Sequence, residues 1–158
     1  MAESYANSIG EVSVERSSFG IAEDDPFLEA EKQWYDLEFD TGSPEFQVGP
    51  GMAKVRSMVR DHYATVRLEL VDSLSGEAGG GWELLAERPY RSRTGKVEVW
   101  SLFSGPAGIS LDLAASESDF VVQVFRSGGA DAKSRDAALV GVPRGLEEYL
   151  IRFAPMSE

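Results

Sequence analysis

With 158 residues, 42% of them hydrophobic, and no cysteine, the chain is sized for one domain around a single core, and disulfide frameworks, thiolate nucleophiles and Cys-based metal sites are excluded. Formal charge is −12: residues 1–50 hold 12 acids against only Arg16 and Lys32, a net of −10, and residues 51–158 hold 15 acids against 13 bases, a net of −2. Such an acidic first third repels nucleic-acid phosphates and attracts basic surfaces or cations. The short apolar runs and the absence of a basic-then-apolar leader point to a cytoplasmic chain with neither nucleic acid nor membrane as partner.

Residues 1–10 show no sustained period and are expected to be loose, ahead of a single domain over 11–158. Val12 and Val14 alternate with Ser13 and Glu15, which predicts a first strand from Glu11 to Phe19. Asp25 and Pro26 are the cap and first-turn residues of a short helix running to Gln33, with acids at its positive end. From Trp34 to Asp40 the period changes: Leu37 and Phe39 alternate with Asp36, Glu38 and Asp40, which reads as a strand with a carboxylate-studded outer face. Thr41–Pro44 and Val48–Gly51 are turns.

A strand is predicted over Met52–Val59, and Arg60–Tyr63 reads as a hairpin connection with His62, the only histidine, at its solvated tip. Ala64–Val71 is the clearest strand, since Val66, Leu68 and Leu70 alternate with Thr65, Arg67 and Glu69. After the Gly-rich loop over 72–81, further strands are expected at Trp82–Glu87, Lys96–Leu102, Ile109–Leu113, Phe120–Phe125 and Glu147–Phe153. A long polar connection separates the last two. Eight or nine short strands without crossover helices predict an all-β, antiparallel β-sandwich of about eight strands with at most one short helix, and a closed barrel is the alternative.

Motifs for chemistry are absent. There is no Gly-x-Ser-x-Gly elbow, and Gly79-Gly80-Gly81 leads into a strand where a phosphate loop needs a helix N-terminus. No catalytic residue, metal ligand or cofactor is therefore expected. Asp36 to Gly42 resembles a calcium loop only loosely, because its glycine falls one position late. What stands out is Glu23, Asp24, Asp25, Glu29, Glu31, Asp36, Glu38 and Asp40. These eight carboxylates within eighteen positions are interleaved with Phe27, Trp34, Tyr35 and Phe39. Aromatic anchors in a charged rim are the composition of a protein interface, so those acids together with Trp34 and Tyr35 are the candidate partner-binding set.

Three stretches also carry a family resemblance: Val12–Phe19; Val66–Asp72 followed by a loop and Trp82-Glu83; and Glu147–Pro155, with its Glu-Tyr-Leu-Ile core. Together they cover most of residues 11–155 and resemble the small bacterial β-sandwich proteins related to the competence nuclease inhibitor ComJ. The resemblance implies a sandwich without enzymatic activity, in a group whose best-known member blocks a nuclease, and it transfers no functional residue. Charge and resemblance together lead to the expectation of an inhibitor or immunity-type protein that caps a basic toxin or nuclease. The alternative is a calcium- or small-ligand-binding sandwich module. The residues do not speak to self-association.

Overall fold

The structure, a computed structural model, describes residues 4–23, 33–74, 79–128 and 143–156. In chain order these form β1 (Ser4–Val14), β2 (Ser18–Ala22), a 3-10 turn (Trp34–Asp36), β3 (Phe46–Gly49), β4 (Met52–Arg56), β5 (His62–Val71), β6 (Glu83–Ser92), β7 (Lys96–Ser101), β8 (Gly105–Asp112), β9 (Ser118–Ser127) and β10 (Arg144–Pro155). One five-stranded sheet has the order β1-β5-β10-β9-β6 and the other β3-β4-β2-β7-β8.

The two sheets share one apolar core. Val66 and Leu68 of β5 and Tyr149, Ile151 and Phe153 of β10 meet Phe19 and Ile21 of β2, Val97 and Val99 of β7 and Ile109 of β8. Period-2 alternation explains the choice of side, because in β5 each of Ala64, Val66, Leu68 and Leu70 is buried while Arg67 between them is exposed. Phe19 packs edge-on to Tyr149 with ring centroids 5.0 Å apart, and Tyr90 does the same to Phe153 at 5.5 Å. β1 and β8 approach so closely that a Cβ on Gly10 would lie 2.7 Å from Ile109 Cγ1, so only glycine fits there.

Four expectations change. Pairing is antiparallel throughout except between β5 and β10, which run parallel in the middle of the first sheet. A parallel pair ordinarily needs a helical crossover, yet here the connection runs through the intervening strands themselves. Secondly, β1 begins at Ser4, inside the segment expected to be loose, because its backbone pairs with β5 from Ser4↔Val71 to Val14↔His62 regardless of side-chain pattern. The expected Glu11–Phe19 strand is broken by a two-residue turn at Arg16-Ser17, which passes the chain from one sheet to the other. Lastly, Trp34–Asp40 is no strand but a 3-10 turn followed by irregular chain; the expected helix from Pro26 lies mostly outside the described residues.

Candidate functional site

The 3-10 turn and the segment that follows it form a strap laid over the outer face of the second sheet. Phe19 and Ile21 of β2 point into the core, so Gly20 between them faces outward, and there the Trp34 indole lies flat against the backbone. A Cβ on Gly20 would fall 2.1 Å from Trp34 Cδ2, so the glycine is the seat of the ring. Farther along, Leu37 packs towards Gly49 of β3, and Lys54 Nζ of β4 donates to the carbonyls of Tyr35 (3.1 Å) and Leu37 (3.2 Å). Phe39 closes the strap by receiving Lys54 and Arg56 over its ring at 5.2 and 5.9 Å. Burial lowers the Lys54 ammonium's pKa; Asp36 and Glu38 work against that shift and Arg56 adds to it.

Fixing the inward residues decides which side chains remain outside. Tyr35 is 47% exposed and stands edge-on to Trp34 at 5.6 Å, with Asp36 and Glu38 exposed beside it. Asp36 Oδ2 accepts the Gln33 N–H at 2.9 Å, and Asp40 accepts the Ser43 N–H at 2.7 Å and the Gln47 amide at 2.9 Å. These two carboxylates thus serve separate turns, and among the described residues no group of three or more His, Asp or Glu is placed to hold a metal ion. Beside the strap runs a groove of about 620 Å³ whose lining includes Tyr35, Asp36, Glu38 and Phe39 together with Lys54, Arg56 and Arg16.

Two of the expected contact residues turn inward. Trp34 is buried under the strap, and the Glu23 carboxylate is enclosed by the β6–β7 turn. There it accepts Tyr90 OH (2.5 Å), Ser92 Oγ (3.2 Å), the N–H groups of Arg93 (2.9 Å) and Thr94 (2.7 Å) and Thr94 Oγ1 (2.9 Å). Five donors converging on one carboxylate make an anchor, and burial next to that charge, with the hydrogen bond to it, raises the Tyr90 phenol's pKa. Asp24, Asp25, Glu29 and Glu31 lie outside the described residues. Of the candidate set, the structure brings Tyr35, Asp36, Glu38 and Asp40 onto one surface strap, with Trp34 as its anchor.

A second polar cluster was missed by sequence reasoning. His62 is not at a solvated tip; it is fully buried at the start of β5, where its Nε2 lies 2.7 Å from Ser57 Oγ and 3.3 Å from Glu147 Oε1. Ser57 donates to Glu147 Oε1 at 2.5 Å, Tyr149 OH donates to the same oxygen at 2.8 Å, and the Met58 N–H reaches Oε2 at 3.1 Å. Because the Ser57 proton goes to Glu147, His62 Nε2 must be the donor towards Ser57, and the Val59 N–H (3.0 Å) fills the remaining lone pair of that hydroxyl. This is no nucleophilic triad: carboxylate and imidazole both sit on the serine, its lone pairs are occupied, and His62 Nδ1 has no hydrogen-bond partner among the described residues to orient it.

Burial alone would raise the Glu147 pKa, but hydrogen bonds from His62, Ser57, Tyr149 and the Met58 N–H outweigh it and hold it below the usual carboxylate range. The network fixes the Ser57–Arg60 loop, which with Ser17, Pro44, Glu45 and Arg56 borders a second groove of about 550 Å³. Ser17 and Arg56 line both grooves. A signal for the cluster was present in the sequence, since Glu147 shares parity with Tyr149, Ile151 and Phe153, all inward, and a carboxylate in register with a core face must find partners there.

Fold and site together define a class, a two-sheet all-β scaffold carrying a clamped, aromatic and acidic surface strap. No protein-family model and no curated protein sequence matches the chain. Among solved structures it is similar to ComJ from Bacillus subtilis, described as the inhibitor of the DNA degrading activity of NucA; identity is 15%, the TM-score 0.62, and 99% of each chain is covered. It is also similar to the structure described as crocagin biosynthetic gene J, at 13% identity and a TM-score of 0.52, with 96% of this chain and 99% of that one covered. At such identities the likeness is one of fold.

Proposed function

We propose that this chain is a non-catalytic binding protein of the inhibitor or immunity kind, a β-sandwich that caps a basic nuclease or toxin in the cytoplasm through its acidic strap. The observation that carries the reading is the clamp: Trp34 on Gly20, Leu37 towards Gly49 and Phe39 under Lys54 and Arg56 hold Tyr35, Asp36 and Glu38 outward in a fixed geometry. A rigid aromatic beside two carboxylates loses little entropy on docking and steers a cationic partner in. Asp40 extends this row and Glu23 and Trp34 act as anchors; Asp24, Asp25, Glu29 and Glu31, outside the described residues, belong to the same proposed partner-binding set. ComJ, which shares the fold across nearly its whole length, is an inhibitor of a DNA-degrading activity, and this supports a protein target over nucleic acid or membrane.

The test is a plasmid-degradation assay in which the full chain is titrated into NucA and into the basic DNA-degrading nucleases of the chain's own host. Stoichiometric loss of degradation with at least one of them is expected. Asp36→Lys with Glu38→Lys should then weaken inhibition by about tenfold or more and flatten its salt dependence, since rim charges act mainly on association. Undiminished degradation by every nuclease at equimolar chain, or a charge-reversed variant as potent as the parent, would refute the proposal.

A further inference from the structure

The most exposed large apolar side chain among the described residues is Phe103, at 69%, on the turn between β7 and β8. Single exposed aromatics are common and by themselves mean little. This one is held rigidly. The Glu15 carboxylate accepts the N–H groups of Phe103 (2.7 Å) and Ser104 (3.2 Å) and the Ser104 hydroxyl (2.7 Å), so the tip of a surface turn is tied to the far end of β1. The guanidinium of Arg16, itself exposed, lies over the Phe103 ring at 5.5 Å.

Arg16 occupies an unusual backbone position. Both Arg16 (φ 53°) and Ser17 (φ 63°) are left-handed, the geometry of a tight two-residue turn that Asn-Gly satisfies far more comfortably. Three tertiary hydrogen bonds hold the turn there: Ser17 N–H to the Arg60 carbonyl (2.7 Å), Ser57 N–H to the Ser17 carbonyl (2.8 Å) and Arg16 N–H to Asp61 Oδ1 (3.3 Å). Strain kept in place by surrounding structure, with a long cation at its tip, suits a recognition element. Arg16 also lines the same groove as Tyr35, Asp36, Glu38 and Arg56, so the stack and the strap are continuous.

We propose that the Arg16–Phe103 stack is a second anchor of the strap interface, and that it takes an acidic-apolar element of the same partner: a carboxylate beside an aliphatic or aromatic side chain. This deepens, and rests on, the reading of the strap as the partner-binding face. Arg16 and Arg56 offer planar guanidinium groups suited to a carboxylate, and Phe103 supplies the apolar plug, while Asp36 and Glu38 take the partner's Lys or Arg. The partner surface is thus dipolar, a basic patch with an acidic, apolar shoulder, and that pairing adds specificity which net charge alone does not give.

A phage library of random dodecapeptides, selected on the immobilised full chain, tests this without knowledge of the partner. Peptides that combine Lys or Arg with an adjacent Asp/Glu and Leu, Ile or Phe are expected to enrich. Their affinity should fall by about tenfold for the variant Arg16→Ala with Phe103→Ala, which changes only exposed side chains and is checked for an unaltered thermal melt. Selection of purely basic peptides, equal binding to that variant, or no enrichment over bare matrix would overturn the second anchor. The strap reading fails separately, if selected peptides lack basic residues or bind an Asp36→Asn, Glu38→Gln variant as tightly as the parent.

Discussion

Gly20→Ala adds a single methyl group and is expected to detach the strap. The new Cβ would lie 2.1, 2.2 and 2.7 Å from three atoms of the Trp34 ring, far inside contact distance, and β2 cannot recede from the ring because it pairs on both sides with β4 and β7. The indole must therefore leave. A tryptophan buries roughly 150–250 Å² of surface, and at about 25 cal/mol per Å² its loss costs about 4–6 kcal/mol as an upper bound. Replacing glycine by alanine in the unfolded chain returns roughly 0.4–1 kcal/mol. Trp34 lies outside the central core cluster, so the damage falls on the strap and the two sheets remain folded.

Urea unfolding should register about 2–4 kcal/mol of lost stability, and amide exchange should lose protection selectively over 33–40. Trp34→Ala should give the same phenotype, and the double variant should be no worse than either single one, since both remove the same contact. Stability within about 0.5 kcal/mol of the parent, or exchange protection lost in the core strands instead of the strap, would refute the reasoning. The same variant should lose partner binding even though no exposed charge has changed.

Four further outcomes concern the left-handed turn and the two polar clusters. Ser17→Gly relieves a left-handed φ and should raise thermal stability by roughly 1 kcal/mol in a denaturant titration, whereas Ser17→Val should lower it. Glu147→Ala leaves the Ser57 and Tyr149 hydroxyls and the Met58 N–H without their acceptor and should cost roughly 3–5 kcal/mol by the same titration. Because the folded pKa of Glu147 is depressed, its contribution is fully present above the unfolded carboxylate value and is lost as pH falls through the lower folded value; the parent should lose stability over that acidic window, and a Glu147→Gln variant should lose less. Glu23→Gln weakens a five-donor anchor and should cost about 1.5–3 kcal/mol, with hydrogen exchange rising at the Arg93 and Thr94 amides it holds.

Where side-chain alternation decides strand faces, the sequence was legible. Val66, Leu68 and Leu70, Ile109 and Leu111, and Tyr149, Ile151 and Phe153 all point inward as their spacing requires. The same rule misled at Trp34–Asp40, because a strap pressed onto a sheet half-buries Leu37 and Phe39 and leaves Asp36, Glu38 and Asp40 exposed just as a strand would, and the decisive partner of Trp34, Gly20, has no side chain to betray it. His62 defeated a local reading for a different reason: its partners Ser57 and Glu147 are five and 85 positions away, and only the fold brings them together. The parallel β5–β10 pair was invisible because register between distant strands leaves no local mark. Of the candidate site, the outward side of Asp36 and Glu38 was readable from alternation; the exposure of Tyr35, which has the same parity as Leu37 and Phe39, was not, and neither were Arg16 and Phe103, which lie outside the acidic stretch.

The placement of β10 has a temporal side. It fills the gap between β5 and β9, so of the described strands the one emerging last from the ribosome is the one that welds the middle of its sheet. Until then β5 has a bare flank, and its apolar residues wait for partners some eighty positions downstream. Such long-range closure is slow and leaves an adhesive intermediate. A stop codon ahead of β10 is expected to yield a chain that sticks to its neighbours rather than a smaller folded protein.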